Sequence, residues 1–305
     1  MGKIAFVFSG QGAQYPGMGM ALAQSSKAAA AVFQTADSLR PGTSAQCFSA
    51  DAATLRETAN TQPCMFAVEM AAAAALTEAG LRADMAAGFS LGELAALTYA
   101  QSVDFETGLQ LVCRRGALMQ EAALQQSTAM AAVLRLPEAE VERICAGLHQ
   151  VCPVNYNCPG QIAVSGPESQ MPALFAAVKA AGGRAVPLNV AGGFHSPFMA
   201  GAAEAFARFL NQYTLIPPAL PLYANCTGAP YEGDLKKLLA NQIRMPVRWE
   251  KTVRSMIAAG ADTFVELGPG QTLCGLIRKT DSGVRTFSVS DPAGLETVLT
   301  EVKAC

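Results

Sequence analysis

The sequence predicts an α/β fold: a large body on a parallel sheet, with a smaller ferredoxin-like unit inserted into it. Three observations carry the prediction. Short apolar runs without strict alternation, such as Lys3–Phe8, Thr263–Glu266 and Thr286–Val289, suit parallel strands buried on both faces, and helical stretches separate them. Within 127–189 the order becomes strand, helix, strand, strand, helix, strand, the βαββαβ order of a ferredoxin-like unit. Between them, Gly88-x-Ser90-x-Gly92 joins a short apolar run to the helix-forming run Leu94–Tyr99. That is the strand, sharp turn and helix of a nucleophile elbow, which makes the body α/β-hydrolase-like. The expected division is a body over 1–126 and 190–305, with the insert at 127–189.

The totals exclude several classes. With 305 residues, 51% of them hydrophobic, the chain can bury a large core and is not disordered. A net charge of −2 argues against a dedicated nucleic-acid binder. No apolar run reaches membrane-spanning length without charge, and Met1-Gly2-Lys3-Ile4 enters a strand pattern with no signal peptide. The nine cysteines are odd in number, scattered and free of any C-x-x-C pair. They read as reduced thiols rather than a disulfide framework or zinc site, and the expectation is a cytoplasmic protein without a metal.

In chain order, Lys3–Phe8 opens as a buried strand and breaks into the glycine loop Ser9-Gly10-Gln11-Gly12-Ala13-Gln14. The loop lacks the third glycine of a dinucleotide fingerprint and the Gly-Lys-Ser/Thr of a phosphate loop. Helical patterns follow over about 17–39. Asp37-Ser38-Leu39, a tripeptide seen at carrier attachment sites, is read as a helix terminus because Arg40-Pro41-Gly42 stops the helix. A helix is expected over about Gln62–Ala79, with Pro63 in its first turn and Gly80 past its end. Asp104 is the expected N-cap of a helix running to Leu124 that carries Arg114 and Arg115. In the insert, strands are expected at Met130–Leu136, Val151–Asn155, Gln161–Ser165 and Arg184–Leu188. Helices are expected from Pro137-Glu138 and over Glu168–Ala181. A second glycine loop, Gly192-Gly193-Phe194-His195-Ser196, opens a helix to Leu210. Strand Leu222–Ala224, helices over Tyr231–Gln242 and from Pro246-Val247-Arg248-Trp249, and a terminal strand and helix complete the pattern.

A serine hydroxyl is a weak nucleophile and must be held exposed on a tight turn within reach of a base. Glycines on both sides of Ser90 allow that turn, and the Leu91 N–H at the helix start points where an oxyanion would form. A plain Gly/Ser turn between strand and helix fits the same residues. The sequence offers two histidines as the base, His149 and His195. His149 ends a helix, where a surface or capping role fits, and His195 sits in a glycine loop of the kind that aims side chains into clefts. For Arg115, helical periodicity leaves a surface ion pair and a carboxylate-binding role equally open.

The motifs Phe8-Ser9-Gly10-Gln11-Gly12-Ala13-Gln14, Gly88-Phe89-Ser90-Leu91-Gly92-Glu93 and Arg115-Gly116 resemble the malonyl-CoA:acyl carrier protein transacylases. These are also the acyltransferase domains of fatty-acid and polyketide synthases. Asn155-Tyr156-Asn157-Cys158-Pro159-Gly160-Gln161, Phe194-His195-Ser196 and Glu266-Leu267-Gly268-Pro269-Gly270 extend the match, in family order, nearly end to end. The resemblance implies that Ser90 and His195 are the catalytic pair and that a malonyl-serine intermediate forms in a ping-pong cycle. It implies an oxyanion hole from the backbone N–H groups of Gln11 and Leu91, and a malonate carboxylate bound by Arg115. It implies backbone carbonyls near Arg248, not a carboxylate, orienting His195, and a Phe194 ring that crowds an α-methyl group. The sequence departs from the family at Phe89, usually histidine, while at 248 relatives carry Gln or Arg.

Malonyl-CoA is then the substrate and no cofactor is implied. The partner is a separate acyl carrier protein, with no nucleic acid and no membrane, and the chain is expected to be a monomer. Carrier proteins are acidic, so Lys236, Lys237, Arg244, Lys251 and Arg254 are candidate docking cations, although a solvated helix face is the commoner fate of such residues. Two alternatives stand beside this reading: a polyketide synthase acyltransferase acting in trans, and a serine esterase or thioesterase. Hydrolases of the elbow class place an acid and then the histidine late in the chain, whereas His195 is mid-chain and no His-Gly-Gly-Gly motif occurs. A non-catalytic acyl-binding subunit fits poorly with an intact Ser90 and His195.

Overall fold

The computed structural model describes residues 2–303; Cys305 lies outside them. The buried run β1 (Lys3–Phe8) is followed by α1 (Met20–Ser25), α2 (Lys27–Leu39), α3 (Thr43–Ser49) and α4 (Thr58–Glu78). β2 (Met85–Gly88) turns into α5 (Gly92–Tyr99), and α6 (Phe105–Leu124) follows. Next come β3 (Thr128–Leu134), α7 (Glu138–Ala146), β4 (Cys152–Cys158), β5 (Gln161–Pro167), α8 (Met171–Ala180) and β6 (Arg184–Pro187). The chain continues through α9 (Ala200–Leu210), β7 (Leu222–Ala224), β8 (Ala229–Pro230), α10 (Leu235–Gln242) and α11 (Trp249–Ala258). It closes with β9 (Ala261–Leu267), α12 (Thr272–Thr280), β10 (Arg285–Val289) and α13 (Pro292–Lys303).

The larger sheet has the order β10-β9-β1-β2-β7-β8 and is parallel except for β8, which pairs antiparallel with β7. Alternation along β1 sends Phe6 and Phe8 to one face and Ala5 and Val7 to the other, and both faces are covered. Phe8 aligns with Gly88 on one side and Leu267 on the other. The loops after β1, β2 and β9 therefore leave the sheet side by side at its carboxyl edge, where open α/β sheets bind ligands.

The four strands of the smaller sheet run antiparallel in the order β4-β5-β3-β6. With helices α7 and α8 this is the expected ferredoxin-like arrangement, and it has its own core of Val133, Val164, Leu174 and Val178. Its edge strand β4 is tied to the segment before α11: Tyr156 N donates to the Val247 carbonyl and Val247 N to that of Val154, both at 2.9 Å.

Three expectations need correction. Helix α4 starts at Thr58, not near Gln62, so Pro63 lies in the second turn, and the N–H it lacks forfeits one bond to the carbonyl four residues back. Arg40-Pro41-Gly42 does stop α2, but α3 restarts at Thr43 because Gly42 (φ +85) turns the chain in one residue. Helix α10 begins at Leu235 rather than Tyr231: Gly233 has φ +77, and the Asp234 side chain caps Lys237 N at 3.0 Å. Gly80 past α4 (φ +82) and Asp104 capping Thr107 N at 2.8 Å stand as expected.

Candidate active site

The elbow is built from close backbone contacts that only glycine permits. A Cβ on Gly88 would lie 1.9 Å from the Gly92 carbonyl oxygen, and one on Gly92 would lie 2.4 Å from the carbonyl oxygens of Phe8 and Ser9. Ser90 between them has φ +55, a left-handed conformation that non-glycine residues adopt at a cost. The Asn225 side chain braces this turn from both sides. Its Oδ1 accepts from Ser90 N at 2.7 Å, and its Nδ2 donates to the Gly88 carbonyl at 2.6 Å.

His195 reaches the elbow from the second glycine loop. A Cβ on Gly192 would lie 2.6 Å from that of Ala123, and one on Gly193 would lie 2.6 Å from Ser165 Oγ, so the loop is wedged between α6 and β5. Ser196 Oγ donates to the Gly193 carbonyl and tightens the turn. His195, itself at φ +58, places Nε2 at 2.7 Å from Ser90 Oγ and Nδ1 at 2.8 Å from the Gln242 carbonyl. A carbonyl only accepts, so Nδ1 carries the proton and Nε2 is free to take one from Ser90. The orienting group is thus a backbone carbonyl, as expected, but it comes from Gln242 at the end of α10. Arg248 instead lies over the Tyr156 ring at 5.1 Å. Burial, then the nearby Arg115 charge, pushes the imidazole down to about 3, so it stands neutral and ready as a base. His149 is exposed on a turn.

Arg115 is fully buried, whereas its neighbour Arg114 is exposed with its guanidinium 6.0 Å from the Phe209 ring centre. That removes the surface ion-pair reading for Arg115. Its Nη1 donates to Gln62 Oε1 at 2.9 Å, and its Nη2 donates to Gln242 Oε1 at 2.7 Å and to Ser90 Oγ at 3.1 Å. Among the described residues it forms no ion pair, and its Nε has no partner. Burial pulls its pKa down to about 10, which still leaves it a cation at neutral pH.

Leu91 enters α5 with helical backbone angles, φ −59 and ψ −36. Among the described residues, the backbone N–H groups of Gln11 and Leu91 donate to no acceptor, while the Gln11 side chain donates to Thr58 Oγ1 at 3.3 Å. Phe194 is buried within the main core. Phe89 packs edge-on against Trp249 with ring centres 5.5 Å apart, and it fills the space that a Cβ on Gly10 would need.

Sequence reasoning missed Gln62, Asn225, Gln242 and Tyr231. Only Asn225 had a usable signal, since it directly follows β7 at the carboxyl edge of the parallel sheet. Glu93, seen only as part of a motif, is fully buried; its Oε1 accepts from the Tyr231 hydroxyl and from Asn225 N. Among the described residues, all the cysteines are free thiols and no cluster of three or more His, Cys, Asp or Glu side chains could hold a metal. No helix there is long and apolar enough to cross a membrane.

The profile of the family described as "Acyl transferase domain" matches residues 5–295. A malonyl CoA-acyl carrier protein transacylase of Bacillus subtilis is 35% identical over 99% of this chain and 98% of its own length. A polyketide-biosynthesis malonyl CoA-acyl carrier protein transacylase of the same organism is 36% identical over 90% of this chain and 96% of its own. The crystal structure of the Clostridium perfringens malonyl CoA-acyl carrier protein transacylase superposes with a TM-score of 0.96 at 33% identity, covering 99% of this chain and 98% of that one. A malonyl-transacylase solved in complex with its type II polyketide acyl carrier protein superposes at 0.93 with 32% identity, covering 98% and 99%. An elbow serine paired with a carbonyl-held histidine, in this fold and with relatives aligned over nearly its whole length, places the chain in the acyl transferase domain family.

Proposed function

We propose that this protein is a malonyl-CoA:acyl carrier protein transacylase and that Ser90 carries the malonyl group between the two thiols. The observation that carries the reading is the single contact set around Ser90 Oγ: His195 Nε2 at 2.7 Å and Arg115 Nη2 at 3.1 Å. One atom is thus touched by a neutral base and by a buried cation that makes no direct salt bridge among the described residues. A guanidinium this close to the nucleophile suits an acyl group whose own carboxylate lies one methylene from the carbonyl under attack.

In the first half-reaction Ser90 Oγ attacks the thioester carbon as its proton passes to His195 Nε2. The oxyanion is held by the N–H groups of Gln11 and Leu91. Collapse breaks the C–S bond, and the CoA sulfur leaves with the proton from His195, giving malonyl-Ser90. In the second, His195 takes the proton of the carrier's phosphopantetheine thiol, the sulfur attacks the ester, and Ser90 Oγ leaves with that proton. The serine hydrolase alternative lacks support, because His195 Nδ1 meets a carbonyl where a hydrolase triad has a carboxylate.

The carrier docks on an electropositive surface in this reading. Lys236, Lys237 and Arg244 line one groove of about 370 Å³ between α9 and α10 and outnumber its two acids, Glu204 and Asp234, whereas Arg254 is paired with Glu250 at 2.8 Å. One similar relative is named simply for an acyl carrier protein and another for polyketide biosynthesis, so the choice of carrier falls to the assay. The test is incubation with malonyl-CoA followed by intact mass. The wild type is expected to gain one malonyl group and lose it to a cognate holo-carrier. Ser90→Ala is expected to gain none, and Ser9→Ala is expected to behave as wild type. An adduct on Ser90→Ala overturns the assignment.

A further inference from the structure

The active site holds a second buried charge that the reaction does not use. Glu93, in the first turn of α5, is fully buried beside the elbow. The amide of Gln242 ties Arg115 to the elbow: Oε1 accepts from Arg115 Nη2 at 2.7 Å, and Nε2 donates to the Ser90 carbonyl at 2.6 Å. Asn225, whose side chain braces the same turn, donates its own N–H to Glu93, and the Glu93 and Arg115 charges act on each other across this cluster. The Tyr231 hydroxyl and the Asn225 N–H donate to Glu93 Oε1, which favours the ionised form. Its Oε2 has no hydrogen-bond partner among the described residues, and burial disfavours that form. The free site therefore holds one cation and one carboxyl group with opposing pulls on its proton.

We propose that Glu93 is the internal counter-ion of Arg115, and that malonyl-CoA binds with uptake of a proton onto the Glu93 carboxylate, which a CoA thioester with an uncharged acyl group does not cause. The inference rests on Arg115 as the anchor of the malonyl carboxylate. When that carboxylate arrives, the pocket contains two anions and one cation in a medium that screens them poorly. Two carboxylates sharing such a site do not both stay ionised. Glu93 is the one that yields, since burial already raises its pKa to about 7, against the opposing pulls of Tyr231, Asn225, Gln242 and Arg115. The other titratable groups facing this pocket are worse acceptors. Burial and the Glu93 charge raise both the Tyr231 hydroxyl and the Cys226 thiol, the latter to about 11, so both already carry their protons. His195, held down to about 3, is the one competitor. Selection for malonyl over acetyl then becomes proton-linked, with malonyl binding favoured at lower pH.

The experiment uses Ser90→Ala protein, which cannot be acylated, titrated calorimetrically at pH 7.5 in two buffers of different protonation enthalpy. Malonyl-CoA is expected to take up on the order of one proton more than acetyl-CoA, the acetyl arm cancelling the CoA phosphates. Adding Glu93→Gln is expected to abolish that difference. Uptake that survives Glu93→Gln assigns the proton to His195 and overturns the proposal. Should that variant fail to fold, the Ser90→Ala protein decides alone: the malonyl-to-acetyl affinity ratio must fall between pH 7 and 9, approaching about tenfold per unit. A flat ratio overturns the inference. Ser90→Ala with Arg115→Ala separates the two failures. If Arg115→Ala erases malonyl preference but no proton is taken up in its presence, only the role of Glu93 is lost. If malonyl preference survives Arg115→Ala, the anchor itself is wrong and the inference falls with it.

Discussion

Arg114 and Arg115 are adjacent in the chain and opposite in fate, because about 100° of helix turn separates them. Arg114 is a solvated surface cation and Arg115 a buried one held by two glutamines and the nucleophile. Truncating one partner of a desolvated charge pair costs roughly 2–5 kcal/mol, so Arg115→Ala should lower kcat/KM for malonyl-CoA by on the order of 10²-fold or more. It should also improve acetyl-CoA relative to malonyl-CoA, while Arg114→Ala should change neither. Equal losses on both substrates would reassign Arg115 to the fold. His195 gives a second residue-scale expectation. Its depressed pKa means kcat/KM should show no acid limb near 6.5, which a rate series from pH 5 to 7 will reveal. Ser90, His195 and Arg115 were legible because each sits in a short motif or is nearly the only candidate of its type. Gln62 and Gln242 were not, since a glutamine in a helix carries no local pattern and its role exists only after folding brings it to Arg115.

At the scale of elements, α10 has two different faces of work. Its exposed side contributes Lys236 and Lys237 to the α9–α10 groove, and its last residue holds His195. Reversing Lys236, Lys237 and Arg244 to glutamate should raise the apparent KM for the carrier, more so at low salt, and spare self-acylation by malonyl-CoA. Matching losses in both half-reactions would remove α10 from docking. The elbow makes a harder demand. Since a methyl at Gly88 would sit 1.9 Å from the Gly92 carbonyl, Gly88→Ala should destabilise the fold by about 1–3 kcal/mol or more, measurable as a lower urea midpoint. Strands were legible from buried apolar runs, and capped helices from Asp104 and Gly80. Helix α3 and the start of α10 were not, because Gly42 and Gly233 reset the chain direction in one residue, which periodicity does not register.

Across the whole molecule, the alternating rhythm and the βαββαβ order revealed both sheets, but strand order was beyond reach. β1 lies between β2 and β9, strands that are distant in sequence, and only the assembled core decides that neighbourhood. Burying a neutral histidine also has a global consequence. The unfolded chain binds a proton at His195 near the usual 6.5 and the folded chain near 3, so stability falls as pH drops through that window. Between pH 6.5 and 5 the loss from this group is about 2 kcal/mol. Glu93 works in the opposite sense, since its raised pKa lets the folded state bind the extra proton between the ordinary 4.5 and about 7. Urea unfolding at pH 7 and pH 5 should therefore show a smaller acid loss in His195→Gln than in wild type. An unchanged loss would place the proton-sensitive step elsewhere.

Gln242 meets His195 through its main chain and Arg115 through its side chain. A backbone carbonyl survives any substitution, so the orientation of the base is insulated from mutation at this position, whereas the cradle of the guanidinium is not. The side chain also donates to the Ser90 carbonyl at 2.6 Å, so acyl preference can drift, or be engineered, at residue 242 without turning the base, provided the replacement keeps a donor for the elbow. A histidine held by a side-chain carboxylate offers no such separation, and a lineage that must change its acyl group while remaining an acyltransferase gains evolvability from this arrangement.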